Sequence, residues 1–107
     1  DDALGYDFEF PKGGILWQIE VKSSRGGPQF VDLTDTEVEA ARSAAKRRSR
    51  KNYVVYLVTN ALSQPEVYPL GNPFVNTGKT RFRVEEGGAR VYFKLLKGGI
   101  EYLQTEA

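Results

Sequence analysis

Residues 17–24 read WQIEVKSS, and the fold prediction starts from this stretch. Its apolar residues alternate with polar ones, which is the pattern of a β-strand with two different faces. The polar face carries Gln18, Glu20 and Lys22. A strand that places two opposite charges on one face is either a solvated edge or the wall of a functional site.

The residues before this stretch predict the first half of a β-hairpin. Residues 4–10, LGYDFEF, alternate so that the large apolar side chains share one face, which we expect to be packed. Residues 11–14, PKGG, predict a turn, and residues 15–23 return as the second strand. The two strands therefore form an antiparallel hairpin, with Asp7 on the face opposite the packed one.

A helix and a central strand are predicted next. Thr34 and Glu37 fit a capping box, and the helix that they start should run to about residue 50. Residues 52–62, NYVVYLVTNAL, are nearly all apolar, which is typical of a strand covered on both faces. Because a helix crosses between them, this strand should lie parallel to residues 15–23.

The rest of the chain predicts a loop and a second hairpin. Residues 63–79 contain three prolines, which indicates a long loop with a short strand near Val67. Residues 80–86 and 89–96 form a C-terminal hairpin around a Gly-Gly turn.

The whole sequence thus predicts an α/β fold: a mixed central β-sheet, one principal crossover helix and a C-terminal β-hairpin. At 107 residues it fits a single domain, residues 1–107. Because the chain begins with Asp1 and contains no Met, we expect it to be an excerpt of a longer multidomain protein. No apolar run is long enough to span a membrane, and we expect an intracellular, cytoplasmic protein.

The composition excludes several kinds of chemistry. The chain has no Cys and no His, so it has no disulfide, no thiolate nucleophile, no imidazole base and no zinc site built from those residues. Any catalysis must use carboxylates, Lys, Arg, Tyr or hydroxyl groups. Ligands that are all oxygen favour a hard ion, Mg²⁺ or Mn²⁺.

The charges are unevenly spread although their sum is only +1. The first ten residues hold four acids and no base, whereas residues 42–51, RSAAKRRSRK, hold six bases and no acid. An acidic pocket near a basic surface suits a metal ion and a polyanion. The candidate nucleic-acid contacts are Lys46, Arg47, Arg48, Arg50 and Lys51. The alternative is that these bases only complement the helix dipole.

The hairpin brings together the residues that are best suited to catalysis or metal binding. Pairing of its strands brings Asp7 towards Glu20, so that two carboxylates meet the ammonium of Lys22. Two close carboxylates repel each other unless a cation lies between them, and a divalent ion would meet that need. On spacing alone, a solvated Glu20–Lys22 pair stays the simpler interpretation. A Ser–Lys dyad is not favoured, because the sequence has no oxyanion-hole motif. Ser23 is therefore interpreted as a phosphate contact or as a residue that tunes Lys22. Glu37 is interpreted as part of the helix start only.

The motifs GYDFEF, QIEVKSS, FVDLTDTEVEAA and NYVVYLVTN, taken in order over about residues 4–60, resemble the NO VEIN C-terminal domain family. The Asp followed by Glu-x-Lys also resembles the wider PD-(D/E)xK superfamily of restriction-endonuclease-like nucleases. The resemblance implies a restriction-endonuclease-like core and a metal-dependent DNA endonuclease module, within a larger bacterial defence or restriction-type protein.

The resemblance also implies roles for individual residues. Asp7 and Glu20 would bind Mg²⁺ or Mn²⁺ together with the backbone carbonyl of Val21. Lys22 would position the attacking water, and Gln18 would line the pocket. DNA is the expected partner, with RNA less expected, beside other domains of the parent protein.

Two other functions stay open. One is a nuclease-like fold that binds nucleic acid or a partner without cutting. The other is an interaction module whose C-terminal hairpin pairs with another chain, as in a homo-oligomer.

Overall fold

Ten short elements make up the protein in a computed structural model, which describes residues 3–24, 30–60, 62–75, 81–85, 87–92, 94–96 and 99–101. The first five are β1 (Phe8–Lys12), β2 (Ile15–Ser24), β3 (Phe30–Thr34), α1 (Asp35–Ala45) and β4 (Lys51–Thr59). The others are β5 (Glu66–Gly71), β6 (Arg81–Glu85), β7 (Gly88–Tyr92), β8 (Lys94–Leu96) and β9 (Gly99–Glu101).

The main sheet is mixed and has four strands in the order β1-β2-β4-β5. β1 and β2 form the predicted antiparallel hairpin, and β2 lies parallel to β4 across the α1 crossover, as predicted. β5 closes the sheet antiparallel to β4 and contains the short strand expected near Val67. The predicted C-terminal hairpin is confirmed as β6 and β7, with β3 paired to the other edge of β7. The fold is therefore mixed α/β with a mixed sheet and a single helix in the described part of the chain.

The core lies between α1 and one face of the main sheet. It is made by buried residues of five elements: Val31, Leu33, Val38, Ala41, Ala44, Tyr53, Val55, Leu57, Leu70, Ala89 and Val91. Gln18 pairs with Tyr53, Glu20 with Val55 and Lys22 with Leu57, and paired residues share a face of the sheet. The polar face of β2 is therefore the face that α1 covers.

The prediction of which face of the hairpin is packed is therefore wrong. β1 is exposed throughout, and Phe8 and Phe10 are on the face of the sheet opposite the core. Alternation separates two faces but does not say which one a helix covers, and β4 is apolar on both. Asp7 also lies just before β1 rather than within it, although its N–H still donates to the carbonyl of Ile19 at 2.8 Å.

Helix α1 begins as predicted but ends early. The Glu37 N–H donates to Thr34 Oγ1 at 3.2 Å, and the Thr34 N–H donates to Glu37 Oε1 at 2.8 Å, which completes the capping box. The helix stops at Ala45 instead of about residue 50, because Ser49 Oγ donates to the Ala44 carbonyl at 2.6 Å and turns the chain. Within the described residues, no helix is long and apolar enough to cross a membrane.

Gly5 allows the segment before β1 to lie directly against α1. It has a φ of +82°, and a Cβ there would collide with the Thr36 carbonyl oxygen and come within 2.9 Å of Ala40 Cβ. Its own carbonyl accepts a hydrogen bond from Tyr53 Oη at 2.8 Å. These contacts hold Gly5 against the start of α1. They therefore help to place Asp7, which is two residues further along the chain.

Gly5→Ala is expected to lower the free energy of unfolding by more than about 3 kcal/mol, since it combines left-handed strain with a backbone collision. Gly13→Ala is the matched control, because Gly13 has a φ of +62° but open space around it. We expect the control to lose only about 1 kcal/mol, from strain alone. Urea unfolding of both variants measures the difference, and equal losses would mean that the Gly5 contact contributes nothing.

Candidate active site

Asp7 is fastened to β2 between the two charged residues of that strand. The Val21 N–H donates to Asp7 Oδ2 at 2.7 Å, in addition to the backbone bond from Asp7 to Ile19. Val21 separates Glu20 from Lys22 in the sequence, so the exposed Asp7 carboxylate lies beside both. The proximity of Asp7 and Glu20 expected from the hairpin is therefore present.

Glu20, Lys22 and Glu37 form a charged cluster under the first turn of α1. Lys22 Nζ lies 2.6 Å from Glu37 Oε1 and 3.8 Å from Glu20 Oε2. Glu20 is 5% exposed and Glu37 is 2% exposed, whereas the Lys22 side chain keeps 21% of its surface open. The solvated-pair interpretation of Glu20 and Lys22 is therefore wrong.

Glu37 is the site residue that sequence reasoning missed. It serves the helix start, as predicted, but the same carboxylate oxygen that caps Thr34 also holds Lys22. The topology could have indicated this, since a helix that crosses between two parallel strands begins at the carboxyl end of the first strand. Glu20 and Lys22 lie in the second half of β2, so the first turn of α1 was to be expected near them.

Burial raises the pKa of Glu20 to about 8, and the nearby Glu37 carboxylate adds to this effect. Lys22 acts in the opposite direction but does not outweigh burial. Near neutral pH, the Glu20 carboxyl therefore tends to keep its proton and to share a hydrogen bond with Glu37. A cation that bound Glu20 would have to displace this proton.

Two neutral side chains complete the buried wall. Tyr53 is fully buried, and burial first, then the charges of Glu20, Glu37 and Asp7, raises its pKa, so its phenol stays a donor to Gly5. Gln18 is 5% exposed, and its Oε1 has no hydrogen-bond partner among the described residues. An unsatisfied buried acceptor costs about 1–3 kcal/mol, which suits a residue that lines a pocket for a donor or a cation.

The oxygen donors here are of the type that Mg²⁺ and Mn²⁺ prefer. Asp7 and Glu20 offer carboxylates, and Gln18 offers a free amide oxygen. Among the described residues, no group of three or more acidic side chains is arranged to hold a metal ion. The donor types present, two carboxylates and an amide oxygen, are chemically compatible with such an ion. The part assigned to the Val21 carbonyl stays a prediction.

The basic residues do not lie at this cluster. The candidate nucleic-acid contacts are all exposed, in the connection from α1 to β4 and at the first residue of β4. We call these five residues, Lys46, Arg47, Arg48, Arg50 and Lys51, the basic segment. The segment is tied to the start of β2, where the Leu16 N–H donates to the Arg50 carbonyl at 2.9 Å. Glu20 lies four residues further along β2, or about 13 Å away. Ser23 is exposed near the end of β2, and its phosphate role stays a prediction.

One comparison with known proteins found a relationship. The sequence model of the family described as Protein NO VEIN, C-terminal, matches residues 1–70, which is more than half of the chain. No curated protein and no solved structure matches the chain significantly. The matched residues include the whole of the charged cluster and the basic segment.

The wild type is expected to lose stability as the pH rises, and Glu20→Gln is expected to prevent this loss. Glu20 has a pKa of about 8 in the folded protein against 4.5 for a free side chain, so folding becomes less favourable as the pH rises between these values. Gln imitates the protonated carboxyl and does not ionise. The variant should therefore match the wild type near pH 4 and gain on it by up to about 1.4 kcal/mol per pH unit towards pH 8.

Urea unfolding in EDTA between about pH 4 and pH 9 measures this difference. Glu39→Gln is the matched control, because Glu39 is an exposed glutamate on the same helix. A constant difference between wild type and Glu20→Gln at all pH values would contradict the raised pKa.

Proposed function

The chain belongs to the NO VEIN C-terminal family, and we propose from that premise that it is a metal-dependent DNA endonuclease module. The observation that carries the proposal is the hydrogen bond from the Val21 N–H to Asp7, which fixes one carboxylate beside Glu20 and Lys22. The strand order supports it as well. A hairpin that carries Asp7 and Glu20-x-Lys22, with its second strand parallel to the strand after a helix, is consistent with a restriction-endonuclease-like core.

Asp7 and Glu20 are the residues that would hold the divalent ion, with the Val21 carbonyl. When bound, the ion supplies Lewis acidity to a phosphate oxygen and lowers the pKa of water. Glu20 must lose its proton for this, so binding of the ion becomes stronger as the pH rises towards about 8. The free Oε1 of Gln18 can accept a hydrogen bond from a water in the same pocket.

Lys22 provides positive charge where a phosphodiester gains negative charge. During in-line hydrolysis a P–O bond to water forms while the P–O bond to the leaving oxygen breaks, and charge increases on the phosphoryl oxygens. The Lys22 ammonium donates hydrogen bonds to the incoming water or to these oxygens. Glu37 orients that ammonium from a buried, capped position, so Glu37 is a positioning residue.

The setting follows from the same proposal. The module would act within a larger defence or restriction-type protein of a bacterial cell, with DNA as its partner. The support for this setting is the family resemblance alone.

A second candidate is a nuclease-like fold that binds nucleic acid or protein without cutting. The observation that favours it is that Lys22 is already paired with both Glu37 and Glu20. Buried ion clusters of this kind also occur as structural features. The two candidates differ in whether a divalent ion is needed.

Asp7→Asn and Lys22→Gln are each expected to reduce plasmid cleavage in Mg²⁺ or Mn²⁺ by about 10²–10³-fold. Asp7→Asn should also weaken Mn²⁺ binding in calorimetry, because it removes a proposed ligand, whereas Lys22→Gln should retain it. Glu39→Gln is the control that should cut like the wild type. Thermal melting checks that each variant is folded.

Three results would count against the proposed site. Equal cutting by the wild type and both variants would place the activity elsewhere. Mn²⁺ binding that is unchanged in Asp7→Asn would remove Asp7 from the ligand set, and no cutting by the wild type would favour the second candidate.

The basic segment is expected to contribute to DNA affinity without sequence preference. The triple variant Lys46→Ala, Arg47→Ala, Lys51→Ala avoids Arg48 and Arg50, whose backbones are left-handed. It should weaken duplex binding equally for different sequences. The slope of log K against log salt should become less steep by about 0.9 for each lost phosphate contact. An unchanged slope would show that these bases serve only the helix end.

A further inference from the structure

Three aromatic rings form a strip on the open face of the β1–β2 hairpin. Phe8 is 51% exposed and Phe10 is 39% exposed, and Trp17 beside them is half-buried. The Phe8 and Phe10 ring centroids are 6.4 Å apart, and the Phe10 and Trp17 centroids are 6.3 Å apart. Their planes differ by 21° and 3°, so the rings are nearly parallel along the surface. We call Phe8, Phe10 and Trp17 the aromatic strip.

The strip lies on the hairpin between the basic segment and the edge of the sheet at Asp7. At one end Trp17 follows Leu16, whose N–H is bonded to Arg50 of the basic segment and which pairs with Lys51. At the other end Phe8 follows Asp7, whose carboxylate is bonded to β2 beside Glu20. The rings therefore extend along the hairpin from the basic segment to the residue after Asp7, on the face opposite the side chains of Glu20 and Lys22.

We propose that the aromatic strip binds single-stranded DNA, with bases stacked on the rings and phosphates held by the basic segment. Single strands offer unpaired base faces to exposed aromatic side chains, and a neighbouring positive groove follows their backbone. In a duplex those faces are already stacked on each other. The exposed Lys and Arg side chains of the basic segment favour a polyanionic partner, because an apolar protein surface would gain nothing from their charge.

The choice of DNA, and the direction towards Asp7, rest on the proposed function. The binding itself does not, because stacking needs no divalent ion. A strand held in this way would run from the basic segment to Phe8, at the edge of the sheet where Asp7 lies. The basic segment would then hold the same strand that reaches the sheet edge at Asp7.

The chain has a single tryptophan, Trp17, so its fluorescence reports directly on the strip. Oligo(dT) titrated into the full chain in EDTA should quench this fluorescence to saturation, whereas a duplex of the same length should not. In anisotropy measurements with labelled oligo(dT), Phe10→Ala should bind about 10- to 100-fold more weakly. Phe10→Tyr keeps the ring and should bind like the wild type.

Leu62→Ala is the matched control, since Leu62 is 94% exposed and lies outside the strip. Thermal melting shows that the Phe10 variants are folded. The proposal is overturned if oligo(dT) does not quench Trp17, if duplex quenches it equally, or if Phe10→Ala binds like Leu62→Ala. Sedimentation that shows a dimer which Phe10→Ala dissociates, or much tighter binding of oligo(U) than of oligo(dT), would overturn it as well.

The two proposals can fail separately. Quenching in EDTA with no cutting in Mg²⁺ leaves the strip standing and removes the endonuclease. Cutting that depends on Lys22 without any quenching removes the strip alone.

Discussion

The ion pair between Lys22 and Glu37 is the contact on which the arrangement of this protein depends. It joins β2 to the first turn of α1, and the same Glu37 carboxylate completes the capping box with Thr34. One buried oxygen therefore fixes the start of the helix and the position of an ammonium. Breaking a buried pair of this kind leaves an uncompensated charge, which costs several kcal/mol.

This contact also explains why a polar face can be the inner face of a sheet. Glu20 lies opposite Val55 in the core register, where a lone carboxylate would be expensive. It is tolerated because it keeps a proton, shares a hydrogen bond with Glu37 and lies near Lys22. A fold that only needed stability would place apolar residues there, and buried charge clusters of this kind are common at functional sites.

The parts of the fold that local patterns control could be predicted from the sequence. The hairpin, the capping box and the parallel crossover each follow from alternation, from two residues at a fixed spacing, or from a helix between two strands. The side of the hairpin could not be predicted, because β4 is apolar on both faces and gives α1 no preference. The end of α1 depended on Ser49, whose hydroxyl binds the Ala44 carbonyl and replaces the helical continuation.

The candidate site shows the same division. Asp7, Glu20 and Lys22 lie together because strand pairing alone brings them together, which sequence can express. Glu37 joins them only through the packing of α1 on β2, and a capping box by itself explains that residue fully. Because the capping box already accounts for Glu37, the sequence around it does not indicate its second role at Lys22.

The separation of charge along this fold constrains how a polyanion can approach it. The acids cluster under the first turn of α1 and the exposed bases follow its last turn, so the near-zero net charge conceals a dipole. A phosphate is attracted to the basic segment but repelled from Asp7 and Glu20 while both are ionised. Without a metal ion, the protein reduces this repulsion by keeping Glu20 protonated. A bound divalent ion would turn the repulsion of the phosphate into attraction. Under the proposed function, the ion is therefore needed before the chemical step, because it allows the phosphate to reach the carboxylates at all.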